Sequence, residues 1–256
     1  MREVIAEQRH RLILDRLAAE GAVAVGRLSA VLDVSRETIR RDLNLLAREG
    51  RLLKRHGGAM PLDRVEPDEA ERAKTNVEAK RRIGLSAAAM VPDGASVILD
   101  SGTTARCVAE ALIGRRDLTI VTNDLGVCAR VSRRDGIRLV LLGGAIQPHE
   151  DATMGPDTVE MLGRYQADFA FVGAGAITLD GHLSDFSRDA AELRTRMLQS
   201  AQTACVIADH TKFGRVTPVR VAAFGRGHVL ITDRAPAKRV REALSRRGVR
   251  LAVAGR

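Results

Sequence analysis

The organisation of this chain follows from the stretch Val34-Ser35-Arg36-Glu37-Thr38-Ile39-Arg40-Arg41-Asp42-Leu43-Asn44-Leu45-Leu46. Ile39, Leu43 and Leu46 recur at helical spacing, which predicts a helix that packs through one apolar stripe. Ser35 is a suitable N-cap, since its hydroxyl can accept a hydrogen bond from a free first-turn amide. The polar residues opposite and beside the stripe are Arg36, Glu37, Arg40, Arg41, Asn44 and Arg48.

A shorter helix is predicted just before this one. Val25, Leu28 and Leu32 fall on one side of it, and residues 33–35 form a tight connection. Two short helices joined in this way are typical of a helix-turn-helix, whose second helix enters the major groove of DNA. Apolar residues between positions 5 and 19 predict a third helix. The alternatives are a solvated basic surface helix and a generic three-helix packing module.

Residues 51–58 predict a strand, a basic turn and a glycine break, which together would form a wing able to reach phosphates. Arginine can bind guanine edges or phosphates, and asparagine can pair with adenine. We therefore predict an interface for duplex DNA. Its candidate residues are Ser35, Arg36, Glu37, Thr38, Arg40, Arg41, Asn44, Lys54, Arg55 and His56.

These motifs support a resemblance to a known family. Thr38-Ile39-Arg40-Arg41-Asp42-Leu43, then Gly50, then Arg55-His56-Gly57-Gly58-Ala59 resembles the helix-turn-helix signature of the DeoR family of bacterial transcription regulators. The resemblance implies a regulator that binds operator DNA. Since one helix-turn-helix reads only a few base pairs, we also expect a homo-oligomer, a dimer or a tetramer, on paired half-sites.

The composition restricts the class of protein. The chain has 256 residues, 45% of them hydrophobic, and contains neither a stretch long enough to cross a membrane nor a signal peptide, so we expect a cytoplasmic protein. Its net charge of +9 favours a polyanionic partner. Aromatic residues make up 2%, which argues against stacking on single-stranded nucleic acid. Cys107, Cys128 and Cys205 are widely spaced, and we expect buried core thiols.

Two domains are predicted, residues 1–58 and 75–256, joined by a charged, proline-flanked linker at 59–74. In the second domain, strands rich in Val, Ile and Leu alternate with amphipathic helices. This alternation predicts an α/β fold with a mostly parallel sheet covered by helices on both faces. The fold class is thus a winged helix-turn-helix followed by an α/β domain.

Ligands of an open parallel sheet bind beyond the carboxyl ends of its strands. Polar or glycine-rich segments follow five of the predicted strands. A helix start and a lysine suit an anion such as phosphate, and carboxylates suit hydroxyl groups. We therefore predict a small anionic ligand at this edge. The candidate residues are Asp100, Ser101, Gly102, Thr103, Thr104, Thr122, Asn123, Gly143, Gly144, Gly173, Asp209 and Lys212.

The second domain resembles the sensor domain of the same family through residues 100–104, 122–123, 143–144, 180–181 and 208–214. The resemblance implies a Rossmann-like fold related to ribose-5-phosphate isomerase that senses phosphorylated sugars or polyols. Leu183-Ser184-Asp185-Phe186 and the run 209–215 look most like the glycerol-3-phosphate repressors, which adds Asp185 to the effector residues and favours glycerol 3-phosphate. Those repressors tend to carry an acid where this chain has Ala190.

The leading interpretation is a repressor of a sugar or polyol catabolic operon, relieved by such an effector. The alternative is a sugar-phosphate isomerase with a DNA-binding appendage. Isomerisation needs a placed carboxylate as general base, and the resembling isomerases carry Asp-Gly-Ala-Asp where this chain has Val172-Gly173-Ala174-Gly175. We therefore expect no enzyme and assign no catalytic residue. Nor do we assign a metal or cofactor, since His149 and His210 lack partners at ligand spacing. An architectural DNA binder without effector would leave the polar sheet edge unexplained.

Overall fold

A computed structural model of the chain describes residues 6–20, 22–49, 51–55, 57–60, 66–147 and 150–255. The chain divides into two compact units, Met1–Glu66 and Pro67–Arg256. In the part that is described, no helix combines the length and the apolarity needed to cross a bilayer.

The N-terminal unit combines three helices with a small antiparallel sheet. The helices are α1 (Ala6–Glu20), α2 (Val25–Leu32) and α3 (Arg36–Arg48). The strands β1 (Val23–Ala24), β2 (Leu53–Arg55) and β3 (Gly58–Met60) pair in the order β1-β3-β2. Ile39, Leu43 and Leu46 are fully buried against Ile13 and Leu28. The predicted apolar stripe of α3 is therefore the core of this unit.

The turn between α2 and α3 has the geometry expected of a helix-turn-helix. Asp33 ends α2 in the left-handed region at φ 52°, and the Ser29 hydroxyl donates to the carbonyl oxygen of Val34 at 2.7 Å. Strand β1 was not predicted, because two residues are too few to show a period. It pairs with β3 so closely that a Cβ on Gly58 would lie 2.0 Å from the carbonyl oxygen of Val23.

Seven parallel strands form the main sheet of the C-terminal unit. In spatial order they are β15 (Arg250–Val253), β14 (Val229–Thr232), β12 (Ala201–Ile207), β9 (Ala167–Val172), β4 (Ser96–Leu99), β5 (Leu118–Thr122) and β6 (Ile137–Leu141). From β4 the chain builds outward through β5 to β6, and then returns to the other side of β4 with β9. The strand order therefore reverses between β4 and β9, where an α/β sheet opens a crevice.

Helices cover both faces of this sheet. One face packs against α5 (Val77–Ala88), α6 (Thr103–Leu112) and α7 (Leu125–Val131), and the other packs against α8 (Pro156–Leu162), α9 (Arg188–Gln199) and α10 (Lys238–Arg246). Neighbouring strand residues alternate between the two cores, with Val97 in the first and Ile98 in the second. Both faces are apolar, which explains why the strands read as continuous hydrophobic runs.

Three short strand pairings were not predicted. β7 (Ala145–Gln147) pairs with β8 (Ala152–Met154), while β10 (Ala176–Ile177), β11 (Leu183–Asp185) and β13 (Val219–Arg220) form a small antiparallel sheet. None exceeds three residues, which is too short for an alternation to be recognised.

The segment 59–74, which we predicted as a linker, contains regular structure. Its first residues end β3, and Glu69–Lys74 form the helix α4. No residue of α4 is buried, so the segment has the polar composition of a linker although it is helical. Residues 61–65 lie outside the described part of the chain. Asn76, in the left-handed region at φ 53°, separates α4 from α5.

The three cysteines are not all buried as expected. Cys205 is buried in β12, whereas Cys107 and Cys128 are half-buried on α6 and α7. Burial raises the pKa of all three thiols, that of Cys205 to about 12. They are therefore thiols rather than reactive thiolates at neutral pH.

Candidate functional site

The outward side of α3 carries exposed charged side chains, and its start carries a capping serine. The backbone amide of Thr38 donates to the Ser35 hydroxyl at 3.0 Å, which confirms Ser35 as the N-cap. Arg40 and Arg41 lie 3.5 and 3.9 Å from the carboxylate of Glu37, and all three side chains are more than half exposed. Exposed pairs of this kind contribute little to stability. Both guanidinium groups can therefore exchange Glu37 for a phosphate or a base edge.

The wing contacts the same helix. Nζ of Lys54 on β2 donates to Oδ1 of Asn44 at 2.7 Å, and both residues are exposed. Arg36 is exposed as well, so six of the predicted DNA-binding residues lie on the surface of α3 or at its start. For Arg55 only the backbone is described, and His56 lies outside the described residues.

In the sequence, Asp42 was recognised only as part of the family motif. In the structure, Asp42 anchors α3 to α1. It is buried and accepts hydrogen bonds from Arg9 at 2.5 Å and from His10 at 2.9 Å, both on α1. Burial alone would raise the pKa of Asp42, but the hydrogen bonds and charges of Arg9 and His10 outweigh it and lower the pKa. The carboxylate therefore fixes α3 against α1.

In the C-terminal unit, Asp100 spans the point where the strand order reverses. Its Oδ1 accepts from the Ser101 amide at 2.7 Å, while Oδ2 accepts from the Gly173 amide at 2.8 Å and from Nε of Arg194 at 2.7 Å. The loops after β4 and β9 are thus held together by one fully buried carboxylate.

A second buried carboxylate, Asp124, holds the start of α6. Its Oδ2 accepts from the Gly102 amide at 2.8 Å, and its Oδ1 accepts from Nε of Arg106 at 2.9 Å. Oδ1 also caps α7 by accepting from the Val127 amide at 2.6 Å. Burial would lower the pKa of Arg106, but the hydrogen bond and charge of Asp124 and the charge of Glu69 raise it. Arg106 is therefore a permanent cation beside this helix start.

We expected Asp100, Asn123, Asp185 or Asp209 to bind ligand hydroxyls. Asn123 donates to the carbonyl oxygen of Thr153 at 2.9 Å, and the three carboxylates have protein partners as well. Asp185 forms a buried ion pair with Arg194, the residue that also pairs with Asp100. Asp209 accepts from the amide and hydroxyl of Thr211 at 2.9 and 2.6 Å. These carboxylates position the loops around the crevice.

The other predicted effector residues divide into two groups. Ser101, Gly102, Thr122 and Asn123 are buried and Thr103, Thr104, Gly173 and Lys212 are half-buried at the ends of β4, β5, β9 and β12. Gly143 and Gly144 are exposed and follow β6, two strands from β4 at the sheet edge. The first group therefore surrounds the crevice and the second lies away from it. Among the described residues, no cluster of three or more His, Cys, Asp or Glu is arranged to hold a metal.

Two cations at this edge were missed from the sequence. A Cβ on Gly102, whose φ is +102°, would lie 3.5 Å from a terminal nitrogen of Arg72. Lys80 is buried, and its Nζ donates to the carbonyl oxygens of Arg72 and Thr75. Burial lowers the pKa of Lys80, as do the nearby charges of Lys212 and Arg72, against the opposing charge of Asp209. The sequence offered one sign that Lys80 is buried, which is its position one turn before Ile83 on the apolar side of α5.

Two family models together match most of the chain. Residues 9–65 match a DeoR-like helix-turn-helix domain, and residues 75–234 match the DeoR C-terminal sensor domain. The matched ranges contain α3 with the wing and the crevice between β4 and β9.

Curated relatives match along nearly the whole length. The glycerol-3-phosphate regulon repressor of Escherichia coli (strain K12) is 31% identical over 245 residues, covering 95% of this chain and 97% of the relative. The protein of the same name from Haemophilus influenzae is 33% identical and covers 89% of each chain. The HTH-type transcriptional repressor GlcR of Bacillus subtilis is 32% identical and covers 96% of each.

Solved structures match less closely. A ribose 5-phosphate isomerase from Methanocaldococcus jannaschii superposes with a TM-score of 0.40 at 19% identity, over 54% of this chain and 55% of its own. At that score the likeness supports no statement about function.

Proposed function

The chain belongs to the DeoR family of DNA-binding transcriptional regulators, and from this premise we propose that it represses a sugar or polyol catabolic operon and is released by a phosphorylated effector. The observation that carries the proposal is the pairing of two features in one chain. One is an exposed, arginine-bearing α3 anchored by Asp42. The other is the sheet edge where the strand order reverses between β4 and β9, with Arg72 and Arg106 beside the start of α6.

For DNA, we propose that α3 enters the major groove with Arg36, Arg40, Arg41 and Asn44 toward the bases. Lys54 then binds the backbone phosphate, and Ser35, Glu37 and Thr38 set the start of the helix. Among the described residues, Arg40 and Arg41 form exposed ion pairs with Glu37. Breaking such pairs to contact DNA costs little free energy. Phosphate contacts by the wing would fix the register, and base contacts by α3 would select the sequence.

For the effector, we propose a phosphorylated sugar or polyol, with glycerol 3-phosphate the leading candidate. The free amides at the start of α6, with the hydroxyls of Thr103 and Thr104, suit a phosphate. Lys212 and Arg72 would supply the compensating charge. The relatives named glycerol-3-phosphate regulon repressors favour this ligand over other polyol phosphates.

An isomerase function is the less favoured alternative. A general base must have a carboxylate able to accept the substrate proton. The loop after β9 offers Gly173, Ala174 and Gly175, and Asp100 across the crevice is already bonded to two amides and to Arg194. The edge is thus suited to binding rather than to proton transfer.

We further propose that the protein works as a homo-oligomer, dimer or tetramer, because one α3 reads too few base pairs for useful affinity. Light scattering of the complex with operator DNA tests this. A strictly monomeric protein on DNA would overturn it.

The full chain should enrich one duplex from a random pool, and that duplex is then the operator probe. Titration at fixed salt, with and without glycerol 3-phosphate, should show at least a tenfold loss of affinity on adding the effector. Failure to enrich any duplex would contradict the DNA interface. If calorimetry detects no binding of a phosphorylated sugar or polyol at millimolar concentration, the effector proposal fails.

A further inference from the structure

Helix α4, the first element of the C-terminal unit, is attached to that unit by ion pairs and hydrogen bonds. No residue of α4 is buried, and its alanines, Ala70 and Ala73, are exposed. A helix of six residues is unstable by itself in water, because nucleation is costly and few hydrogen bonds follow. The position of α4 therefore depends on the side chains that hold it.

Among the described residues, polar contacts attach α4 at its start, its middle and its end. At its start, Glu69 pairs with NH1 of Arg106 at 2.5 Å. In its middle, Arg72 pairs with Glu150, and both residues are half-buried. At its end, Nζ of Lys80 donates to the carbonyl oxygens of Arg72 and Thr75, and the Arg72 carbonyl also accepts from the Thr75 amide.

The residues that attach α4 also lie near the start of α6 or near the crevice. Arg106 shares Asp124 with the Gly102 amide. Arg72 lies beside Gly102 itself. Lys80 lies in the field of Asp209 and Lys212. The residues that hold α4 are therefore the residues whose charge balance a bound phosphate would change.

We propose that α4 is a ligand-sensitive strap whose attachment to the sensor unit changes when an anion binds at the start of α6. This inference rests on the proposed effector function. A phosphate near Gly102 attracts Arg72 and repels Glu150, so it weakens their pair and shifts the middle of α4. Since α4 begins only three residues after Glu66, where the N-terminal unit ends, its displacement acts directly on the connection to the DNA-binding unit.

The sharpest test uses two glutamates of the same helix. Glu69→Ala removes the attachment to Arg106, and Glu71→Ala removes an exposed carboxylate two positions away. We expect Glu71→Ala to bind glycerol 3-phosphate within threefold of wild type in calorimetry, and Glu69→Ala to bind it at least as tightly as wild type, because a carboxylate near the site is removed. In operator titrations, Glu71→Ala should respond to the ligand as wild type does, while Glu69→Ala should lose at least four-fifths of the ligand-induced change in affinity. An equal response of both variants would overturn the proposal.

A second measurement does not depend on mutation. Amide hydrogen exchange of residues 70–74 in the full-length wild type should change at least fivefold on adding saturating glycerol 3-phosphate. Calorimetry on the same sample distinguishes a failure of the strap proposal from a failure of the effector-site proposal. Ligand binding with no change in the exchange of α4 refutes the strap alone, whereas absence of binding by glycerol 3-phosphate and inorganic phosphate refutes the effector site and the strap with it.

Discussion

Arg194 and Asp100 are 94 positions apart, yet Nε of the arginine lies 2.7 Å from Oδ2 of the aspartate, and both side chains are buried. The same guanidinium pairs with Asp185. One cation from α9 therefore compensates two carboxylates, one after β4 and one in β11. Removing this charge would leave both carboxylates with their backbone amide donors but without their arginine partner.

We predict that Arg194→Met lowers stability by about 3–5 kcal/mol, the usual cost of leaving a buried charge without its partner. Both carboxylates would then be buried without their arginine partner, which is why the loss should be large. Thermal melts at neutral pH measure this. Arg196→Met, at an exposed position of the same helix, is the control, and a loss of stability no larger than that of the control would contradict the prediction.

The pair between Asp42 and Arg9 predicts acid sensitivity in the N-terminal unit. The pKa of Asp42 is lowered in the folded state, so its stabilisation is present above about pH 4 and is lost as the pH falls through the folded pKa. Asp42→Asn should cost about 1.5–3 kcal/mol at neutral pH and remove part of the acid dependence. Hydrogen exchange at the amides of α3, measured between pH 3.5 and 7 in wild type and variant, tests both the loss of stability and its pH dependence. Asp15→Asn, an exposed position on α1, should leave α3 unchanged.

Features with a local period were predictable from the sequence. The stripe Ile39, Leu43 and Leu46 has the spacing of one helix face, and the strands of the main sheet are continuous apolar runs. Features that depend on distant partners were not. Asp42 pairs with Arg9, 33 positions away, and Asp100 pairs with Arg194, 94 positions away. Neither pairing produces a pattern that can be recognised in a single sequence.

The candidate effector site was predicted only in part, for the same reason. A polar segment after each strand can be recognised locally, so Thr103, Thr104 and Lys212 were included. The protein partners of Asp100, Asp185 and Asp209 depend on the fold, so they could not be recognised from the sequence. Arg72 was missed because α4 has the composition of a linker.

For the DNA interface, we predict that Arg41→Ala weakens binding to the selected operator by about 1–3 kcal/mol while binding to random duplex falls less. Arg41 keeps only a 3.9 Å contact with Glu37, so its loss should not disturb the fold. Titration at matched salt measures it. Arg11→Ala, an exposed arginine of α1, is the control. Wild-type affinity of a folded Arg41→Ala protein would remove this residue from the interface.

Lys54 should behave differently from Arg41. If it binds a phosphate, Lys54→Ala should weaken specific and random duplexes alike and reduce the salt slope of binding by about 1. It also frees Oδ1 of Asn44, to which Lys54 donates at 2.7 Å. Affinities measured at four salt concentrations on both duplexes test this. A loss confined to the operator, with the slope unchanged, would mean that Lys54 acts by orienting Asn44.

The last prediction concerns the effector. Thr103→Ala combined with Lys212→Ala should remove a hydroxyl and a charge from the proposed phosphate site, and we expect at least a tenfold loss of affinity for glycerol 3-phosphate in calorimetry. A ligand can shift DNA binding only through its differential affinity for the free and the DNA-bound protein. The double variant should therefore bind operator DNA as wild type does, but its operator affinity should not change when glycerol 3-phosphate is added. Lys238→Ala, an exposed lysine of α10, controls for the lost charge. Normal effector binding by the double variant would mean that the phosphate lies elsewhere, and weakened operator binding without ligand would show that these residues act on the DNA-binding state itself.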